Sequence, residues 1–283
     1  MLAQYKCHSE QDYINALKEI FQQIALLGLW RAKFYERAAF YGGSALRILY
    51  QLNRFSEDLD FSLLKKDGQF DLGPYNVAIS DELKSFGFDV FVETKNKNID
   101  TNIESAFIKA NTKKQLIIIE ASSRITSHIH SMSTIKIKME VDTDPPPEFN
   151  VEMKNILQPI PFAVKTFTLP DLFAGKVHAI LCRAWLKRVK GRDWFDFVWY
   201  VARDVPVNLS HLRERLIQTD AWNKEEKFTK DDLFKLLKLK IDETDFDNAK
   251  KDIAVFIADV HAVDLWSREF FLDVLARMKT CDS

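Results

Sequence analysis

Cysteines, long apolar runs and the common phosphate-binding fingerprints are scarce or absent in this chain of 283 residues. The three cysteines, Cys7, Cys182 and Cys281, are odd in number and far apart, and no Cys-x-x-Cys pair occurs. This disfavours a disulfide framework and a cysteine zinc site. No uncharged apolar stretch reaches the roughly 18 residues of a membrane span, and the N-terminus turns polar too early for a signal peptide. We therefore expect a protein of the reducing cytoplasm with no membrane partner.

The sequence also lacks a Walker motif, a Gly-x-Gly-x-x-Gly fingerprint and internal repeats. Lys and Arg together number 40 and Asp and Glu 41, so the formal net charge is −1. The overall charge therefore does not indicate a nucleic-acid-binding protein, and any such surface has to be a local patch. With 47% hydrophobic residues, the chain can form one large domain or two ordinary ones.

The spacing of apolar residues predicts a mixed α/β half followed by an α half. Ser9, with Asp12 three residues later, marks the start of the first helix. Helices are predicted at residues 9–29, 44–51 and 75–86, and strands at residues 38–41, 58–64, 89–94, 105–110, 115–121 and 133–142. The later helices are predicted at residues 171–188, 192–203, 209–218, 230–240, 245–260 and 264–278. We therefore expect an α/β domain at residues 1–165 and a helical domain at residues 166–283.

A turn of small residues, Gly42-Gly43-Ser44, follows the strand predicted at residues 38–41. Glycines let a backbone approach phosphates closely. The N–H groups at a helix N-terminus, together with a serine hydroxyl, can hold phosphate oxygens. Ser44 also fits a plain helix cap, and the two roles are compatible. The turn therefore indicates a place where nucleotide phosphates bind.

Two aspartates, Asp58 and Asp60, follow in the next predicted strand. Alternate strand residues point the same way, so both carboxylates share a face while Leu59 and Phe61 face the core. Neighbouring carboxylates repel each other unless a cation lies between them, and magnesium (or manganese) with a nucleoside triphosphate is the natural occupant. A bare Asp-x-Asp is more often a solvated acidic turn. Preceded by the small-residue turn, it indicates metal-dependent nucleotidyl transfer.

The strand predicted at residues 133–142 carries two further carboxylates, Glu140 and Asp142, on its polar face. The residues on its apolar face are Ile135, Ile137, Met139 and Val141. A third carboxylate on a neighbouring strand could complete a metal shell or accept the proton of an attacking hydroxyl. Glu140 is only marginally ahead of Asp142 for this role. The alternative for both is the exposed polar face of an edge strand.

Lys176 interrupts an otherwise apolar helix. An unpaired buried ammonium is costly, so a lysine at such a place usually has an anion beside it. That anion is either a structural aspartate or a triphosphate. Asp193 and Asp196 follow at helical spacing and could reach the same place, so both interpretations can hold.

The most basic segment, residues 183–192, has five cations in ten residues. They are Arg183, Lys187, Arg188, Lys190 and Arg192. Cations are favourable at a helix C-terminus, with Gly191 as the stop, and this alone could explain half of them. The functional interpretation is a phosphate-binding patch for RNA.

Several of these motifs together resemble the AbiEii/AbiGii nucleotidyltransferase-like toxins. The resemblance rests on residues 41–47 with 54–61, 138–146, 172–176 and 190–196. These motifs are separated along the chain, occur in the family's order and span roughly residues 37 to 203. The resemblance is therefore specific over that part of the chain.

The resemblance implies a DNA polymerase β-like nucleotidyltransferase fold, an α+β architecture with a mixed sheet and a helical C-terminal half. It also implies a cytoplasmic toxin of a bacterial toxin–antitoxin or phage-defence module, with a cognate antitoxin. Family members use nucleoside triphosphates and divalent metal, and some add nucleotides to tRNA 3′ ends. The positions that match are Gly43 and Ser44 for the triphosphate, Asp58 and Asp60 for magnesium, Lys176 for phosphates, and Asp196, with Asp193 close by, for the late aspartate.

We therefore expect an enzyme that transfers a nucleoside monophosphate from an NTP to RNA, such as tRNA, in a cleft between the two halves. Glu140, or else Asp142 or Asp196, activates the acceptor hydroxyl, while Lys176 and Arg54 steady the triphosphate. Arg54 has an alternative partner in nearby Glu57. One rival function is the same chemistry on a protein or a small molecule. Another is a catalytically idle protein that binds a nucleotide or an antitoxin.

Overall fold

The computed structural model describes residues 1–95, 103–111, 134–183 and 189–282. Within these ranges the chain forms nine α-helices, a seven-stranded mixed sheet and a two-stranded ribbon. The helices are α1 (Glu10–Arg31), α2 (Gly42–Tyr50), α3 (Gly73–Ser85), α4 (Leu169–Cys182), α5 (Gly191–Val201), α6 (Leu209–Gln218), α7 (Lys230–Glu243), α8 (Phe246–Ile253) and α9 (Arg268–Arg277). The strands are β1 (Ala38–Tyr41), β2 (Leu59–Leu63), β3 (Val90–Lys95), β4 (Ile103–Asn111), β5 (Thr134–Asp142), β6 (Val151–Ile156), β7 (Phe162–Phe167), β8 (Val207–Asn208) and β9 (Thr280–Cys281).

The chain divides into two compact units. Unit 1 comprises Met1–Tyr50, Glu57–Pro145 and Met153–Thr166. Unit 2 comprises Gln51–Ser56, Pro146–Glu152 and Phe167–Ser283. Two short segments that lie before residue 166 in the sequence thus group with the helical part.

The large sheet has the strand order β3-β4-β5-β2-β1-β7-β6. The pairs β1–β2, β3–β4 and β4–β5 are antiparallel, whereas β2–β5 and β1–β7 are parallel. The predicted α+β class with a mixed sheet and a helical C-terminal part is therefore confirmed. No helix in the part of the chain that the structure describes is long and apolar enough to cross a membrane.

Five of the six predicted strands are present, as β1 to β5, with ends that differ by at most two residues. The sixth, at residues 115–121, lies outside the described residues. Sequence analysis missed β6 and β7, which extend the sheet beyond β1, and the ribbon of β8 and β9 in the helical part.

The core of unit 1 lies between the sheet and helices α1 and α3. Helix α1 begins as predicted, because Ser9 accepts a hydrogen bond from the Asp12 backbone in a capping box. Phe61 of β2 packs against Phe34 and Phe40, with ring centroids 5.0 and 5.2 Å apart. The β2 residues that were predicted to face the core are thus fully buried, which leaves the other face of β2 for polar side chains.

Unit 2 is built around aromatic side chains. Trp194 of α5 is fully buried and packs edge-on against Phe246 of α8 and Phe271 of α9, at 5.4 and 4.9 Å. Gly191 is the first residue of α5, and a Cβ there would lie 2.1 Å from the Ala249 carbonyl oxygen of α8. The alternative explanation of the basic segment, in which Gly191 is the stop of the preceding helix, does not hold, because Gly191 begins the next one. The described part of the preceding helix ends at Cys182, six residues earlier than predicted.

Candidate active site

The candidate carboxylate site of unit 1 lies on adjacent strands of the large sheet. In the parallel pair β2–β5, Asp60 is the register partner of Glu140, and in the antiparallel pair β1–β2 it lies opposite Tyr41. Neighbouring strands are about 4.8 Å apart, and register partners point to the same face. Since Leu59 and Phe61 are fully buried on the other face, Asp60 and Glu140 are neighbours on the polar face. Asp58 immediately precedes β2.

Gly42 lets the Asp60 carboxylate lie directly against the backbone of the glycine turn. Its φ of +81° is a left-handed conformation that side chains disfavour, and a Cβ at this position would lie 2.4 Å from Asp60 Oδ2. Both the backbone and the close approach therefore require glycine. The turn that begins α2 can lie against the carboxylate only because position 42 has no side chain.

Ser44 ties the start of α2 to the start of β2. It is fully buried in the first turn of α2. Its hydroxyl donates a hydrogen bond to the carbonyl oxygen of Asp58. This bond links two separate stretches of chain, and Ser44, the third residue of α2, lies inside the helix and not at its cap position. It places the first turn of α2, including Gly43, next to the first of the two aspartates.

The oxygen atoms of Asp58 and Asp60 suit a magnesium ion that arrives with a nucleotide. Within the described residues, no group of three or more His, Cys, Asp or Glu side chains is arranged to hold a metal ion by itself. The predicted set that adds Glu140 and Asp142 is therefore not assembled as one group. Magnesium, however, is usually held by one or two carboxylates with substrate phosphates and water. The close approach of the glycine turn, at the start of α2, to Asp60 Oδ2 fits a site of that kind.

The two carboxylates of β5 have different surroundings. Lys138 Nζ lies 2.6 Å from Glu140 Oε1, and the Glu140 side chain is 29% exposed. Asp142 pairs in register with Ser62, two residues beyond Asp60 along β2. Its Oδ1 accepts a hydrogen bond from the Asp144 backbone at 3.0 Å, which stabilises the turn after the strand. Glu140 is thus the carboxylate beside Asp60, and Asp142 supports the strand's end.

A partly buried ion pair that sequence analysis missed anchors α2. Arg47 Nε donates to Glu19 Oε2 at 2.9 Å, and the hydroxyl of Tyr5 donates to Glu19 Oε1 at 3.1 Å. Glu19 is 8% exposed. The pair fixes the helix that begins with the glycine turn. No local sequence signal marks it, because the partners are 28 residues apart.

In unit 2, two buried aspartates of α5 bind three cations. We call Arg54, Lys176, Arg183, Asp193 and Asp196 the ion-pair network. Lys176 Nζ lies 2.8 Å from Asp193 Oδ1 and 2.8 Å from Asp196 Oδ2. Arg54 donates from Nε and Nη2 to Asp196 at 2.6 and 2.7 Å, and Arg183 Nη1 donates to Asp193 Oδ2 at 2.8 Å. The predicted meeting of Lys176 with both aspartates is thus present.

The charges of the ion-pair network compensate one another despite burial. Burial alone would raise the pKa of Asp196, but Arg54 and Lys176 outweigh it, and the pKa is lowered. Burial likewise disfavours the charged form of Arg54, yet Asp196 raises its pKa. Both groups are therefore ionised. Three cations against two anions leave a formal charge of +1.

The partner of Arg54 differs from the one considered in the sequence. The guanidinium is 3% exposed and forms a bidentate pair with Asp196, which is 142 residues away. Glu57, the alternative partner expected from sequence, accepts from Lys18 at 3.0 Å in unit 1. The bidentate pair fastens the Gln51–Ser56 segment to α5 within unit 2.

The basic segment is only partly described. Arg183 belongs to the ion-pair network and its side chain is 55% exposed. Lys187 and Arg188 lie outside the described residues. Lys190 is half-buried, and the guanidinium of Arg192 lies 4.3 Å from the ring centroid of Phe256. The described cations thus have protein neighbours, and the RNA-binding role of the segment stays a prediction.

The predicted site residues therefore fall into two groups. Unit 1 brings together the glycine turn, Ser44, Asp58, Asp60 and Glu140. Unit 2 brings together the residues of the ion-pair network. Their roles in a reaction remain predictions.

The fold is similar to that of solved bacterial proteins. The crystal structure of JHP933 from Helicobacter pylori superposes with a TM-score of 0.52 at 16% identity, covering 92% of this chain and 88% of that one. A second H. pylori structure, described as a candidate nucleotidyltransferase, gives a TM-score of 0.46 at 18% identity, covering 91% and 89%. No curated protein sequence matches the chain. At these identities the JHP933 likeness establishes the fold alone.

The class follows from a match that covers most of the sequence. The profile of the family described as nucleotidyl transferase AbiEii toxin, type IV TA system, matches residues 24–274. The protein is therefore a nucleotidyltransferase. It belongs to the AbiEii toxin family, and this membership implies a toxin–antitoxin system, an antitoxin partner and a nucleotide substrate.

Proposed function

We propose that this toxin transfers a nucleoside monophosphate from an NTP to RNA, with a tRNA 3′ end as the acceptor, in a reaction that requires a divalent metal. The observation that carries the proposal is the pairing of Asp60 with Glu140 on adjacent parallel strands. Gly42, which lies against the Asp60 carboxylate, adds to it. This arrangement places two carboxylates on one face of the sheet, with the glycine turn directly against one of them.

Asp58 and Asp60 are the proposed metal ligands. A magnesium ion bound there would neutralise phosphate charge and polarise the α-phosphorus. The first turn of α2, with Gly43 and Ser44, would bind phosphate oxygens through its N–H groups, as helix N-termini do. Ser44 keeps this turn beside Asp58 through the hydrogen bond of its hydroxyl. Correct placement of the two groups would let an acceptor oxygen approach in line with the departing pyrophosphate.

Glu140 is the proposed general base for the acceptor hydroxyl. It is partly exposed, and Lys138 contacts one of its two oxygens, so the second oxygen can accept a proton. Asp142 is a weaker candidate, because one of its oxygens already accepts the Asp144 N–H. A base must lie within hydrogen-bond reach of the proton that it removes. Its position beside Asp60 favours Glu140 for this reason.

In unit 2 we assign different roles to members of the ion-pair network. Both oxygens of Asp196 are engaged by Arg54 and Lys176 and its pKa is lowered, so it is a poor proton acceptor. We infer that Asp196 and Asp193 position Lys176, which would contact a phosphate with its one remaining N–H donor. Arg54, with 3% exposure, positions Asp196 and does not itself reach a nucleotide.

The experiment that tests the proposal uses each NTP labelled at the α-phosphorus, with magnesium and total cellular RNA. Asp60→Asn removes the central carboxylate charge with little change in shape. Asp273→Asn, at a side chain that is 60% exposed on α9, is the matched control. We expect label on RNA with wild type and the control, and at least about a hundredfold less with Asp60→Asn.

Other outcomes identify the rival functions. Label on a protein or on a small molecule, with RNA unlabelled, would mean that the acceptor is that protein or small molecule and not RNA. The absence of labelled product with every NTP, together with normal growth on overexpression, would indicate a protein that binds a nucleotide or an antitoxin without catalysis.

A further inference from the structure

Arg215 of α6 is a half-buried cation without an acidic partner in the described residues. Its Nε is buried and makes no hydrogen bond. The hydrogen-bonded neighbour of its guanidinium there is His211, whose Nε2 lies 3.5 Å from Arg215 Nη1. Arg213 of the same helix, in contrast, is paired with Glu214 at 2.7 Å. A cation that is partly removed from water is unfavourable unless an opposite charge or hydrogen-bond acceptors compensate its charge.

The histidines around Arg215 bring no negative charge. His211 Nδ1 lies 2.8 Å from the Pro147 carbonyl oxygen, which can only accept, so Nδ1 carries the proton and Nε2 faces Arg215 with its lone pair. Burial and the Arg215 charge lower the pKa of His211 to about 3. Burial, Arg215 and Arg183 lower the pKa of His178 to about 4. Both rings are therefore neutral near pH 7.

The groups that the hydrogen bonds show around Arg215 are neutral. The guanidinium lies against α4 at Gly175, where an added Cβ would be in ordinary van der Waals contact, 3.7 Å from Arg215 Cζ. Thr219 Oγ1 lies 3.0 Å from His178 Nε2. Cys182, in contact with Thr219, has Lys240 and Arg215 as the nearby charges that lower its pKa, against the larger effect of burial, which raises it. The surroundings thus supply hydrogen-bonding groups and positive charge.

We propose that Arg215 binds a phosphate group of a substrate, with His178 and Thr219 beside it. A planar guanidinium matches two phosphate oxygens at once, and such charge-assisted pairs are strong. A bound phosphate would supply the counter-charge that the described residues do not provide. This inference rests on the proposed function, in which the phosphate belongs either to the RNA backbone or to the NTP. The chemistry is the same for both sources.

The test measures binding without transfer, in EDTA, so that it does not depend on catalysis. The probes are fluorescently labelled tRNA, a nucleoside triphosphate and inorganic pyrophosphate. The variants are Arg215→Gln and Arg215→Lys, and the control is Arg277→Gln on α9, where the arginine is 71% exposed and pairs with Asp273. Circular dichroism melting checks the fold of each variant.

We expect Arg215→Gln to weaken binding of at least one probe by about tenfold or more, with little change for Arg277→Gln. If the phosphate belongs to the RNA backbone, tRNA affinity falls. The slope of the logarithm of the tRNA binding constant against the logarithm of the salt concentration then decreases by about the amount expected for one phosphate contact. If the NTP is the source, triphosphate and pyrophosphate affinity fall. Arg215→Lys keeps the positive charge but lacks the paired N–H donors of the planar guanidinium, so an intermediate loss of affinity is expected.

Unchanged affinity for all three probes in Arg215→Gln, or no binding of any probe by the wild type, would overturn the inference. If Arg215→Gln has a much lower melting temperature than the wild type, the folded Arg215→Lys variant is used instead. Binding of all three probes by Arg215→Lys with the wild-type affinity would then contradict the inference. If transfer depends on Asp60 while Arg215→Gln binds every probe as the wild type does, the proposed function stands and only the role of Arg215 is removed.

Discussion

The side chain that position 42 lacks has an effect on the site that can be measured. Gly42 combines a φ of +81° with a close approach to Asp60, whereas Gly87 has a φ of +86° and an added Cβ there would meet no atom within 4 Å. The two glycines therefore separate backbone strain from steric displacement of the carboxylate.

We predict that Gly42→Ala displaces the Asp60 carboxylate and lowers nucleotide transfer at least about tenfold, because catalytic groups tolerate little misplacement. Gly87→Ala should cost about 1 kcal/mol of unfolding free energy from backbone strain alone, without loss of transfer. Label transfer and urea denaturation of both variants measure the two effects. Equal activities of the two variants would show that transfer does not need the close approach of position 42 to the Asp60 carboxylate.

His211 predicts a pH dependence of stability. Its pKa is about 3 in the folded protein against 6.5 for an ordinary histidine, so the unfolded chain binds more protons between these values. The stabilising contribution is complete above about pH 6.5 and is lost as the pH falls toward 3. The greatest slope for one such group is about 1.4 kcal/mol per pH unit.

The measurement is the free energy of unfolding between about pH 5 and 6.5, above the range in which most carboxylates titrate. His211→Gln, which keeps a hydrogen-bond donor, should flatten the curve in this window. His178, whose pKa is about 4, adds a slope of the same sign that remains in the variant, whereas His261, whose pKa is raised by Asp264, adds one of the opposite sign. An identical slope in His211→Gln would mean that His211 is not held neutral in the folded protein.

At the scale of elements, the pair of Arg54 with Asp196 holds a short segment of chain against α5. Both side chains are almost completely buried. Asp196→Asn would leave the guanidinium buried without its counter-charge, for which we predict a loss of about 3–5 kcal/mol in unfolding free energy. Asp273→Asn, which breaks an exposed i,i+4 pair, should cost less than about 1 kcal/mol. Similar losses of unfolding free energy in Asp196→Asn and Asp273→Asn, measured by chemical denaturation, would show that burial does not make the Arg54–Asp196 pair more important for stability.

The strands that carry the carboxylates could be predicted from sequence, because their apolar residues alternate. Leu59 and Phe61 in β2, and Met139 and Val141 in β5, are fully buried, as that alternation requires. The missed strand β7 has the same signal, since Phe162 and Val164 are buried and Ala163 is not. The signal is short and follows prolines, and sequence analysis gave the segment no assignment.

The pairing of charged residues was much less predictable. Lys176 is on an apolar helix, which indicated an anionic partner, and Asp193 and Asp196 were found as that partner at helical spacing. No comparable signal joins Arg54 to Asp196, because pairing over 142 residues depends on the tertiary fold. Arg215 carried no signal at all, since a missing partner is visible only once the neighbours are known.

For the whole molecule, family membership gives the class of enzyme, and residue geometry supports the choice of candidate site residues. The family match establishes a nucleotidyltransferase of a toxin–antitoxin system. The sheet register and the glycine turn support Asp58, Asp60 and Glu140 as the residues that act. The acceptor is the part of the proposal that depends least on these residues, because carboxylates and metal serve nucleotidyl transfer to any hydroxyl.

In the proposed reaction the acceptor oxygen forms a bond to the α-phosphorus of the NTP, and the bond from that phosphorus to the oxygen bridging to the β-phosphorus breaks, releasing pyrophosphate. The most direct measurement runs one reaction twice, with the same NTP labelled at the α- or the γ-phosphorus. We predict α-label in the RNA and γ-label in pyrophosphate, with both products lost in Asp60→Asn and after chelation of divalent metal. If γ-label appears in the acceptor and α-label stays in a nucleoside diphosphate, the reaction is phosphoryl transfer and the account is contradicted.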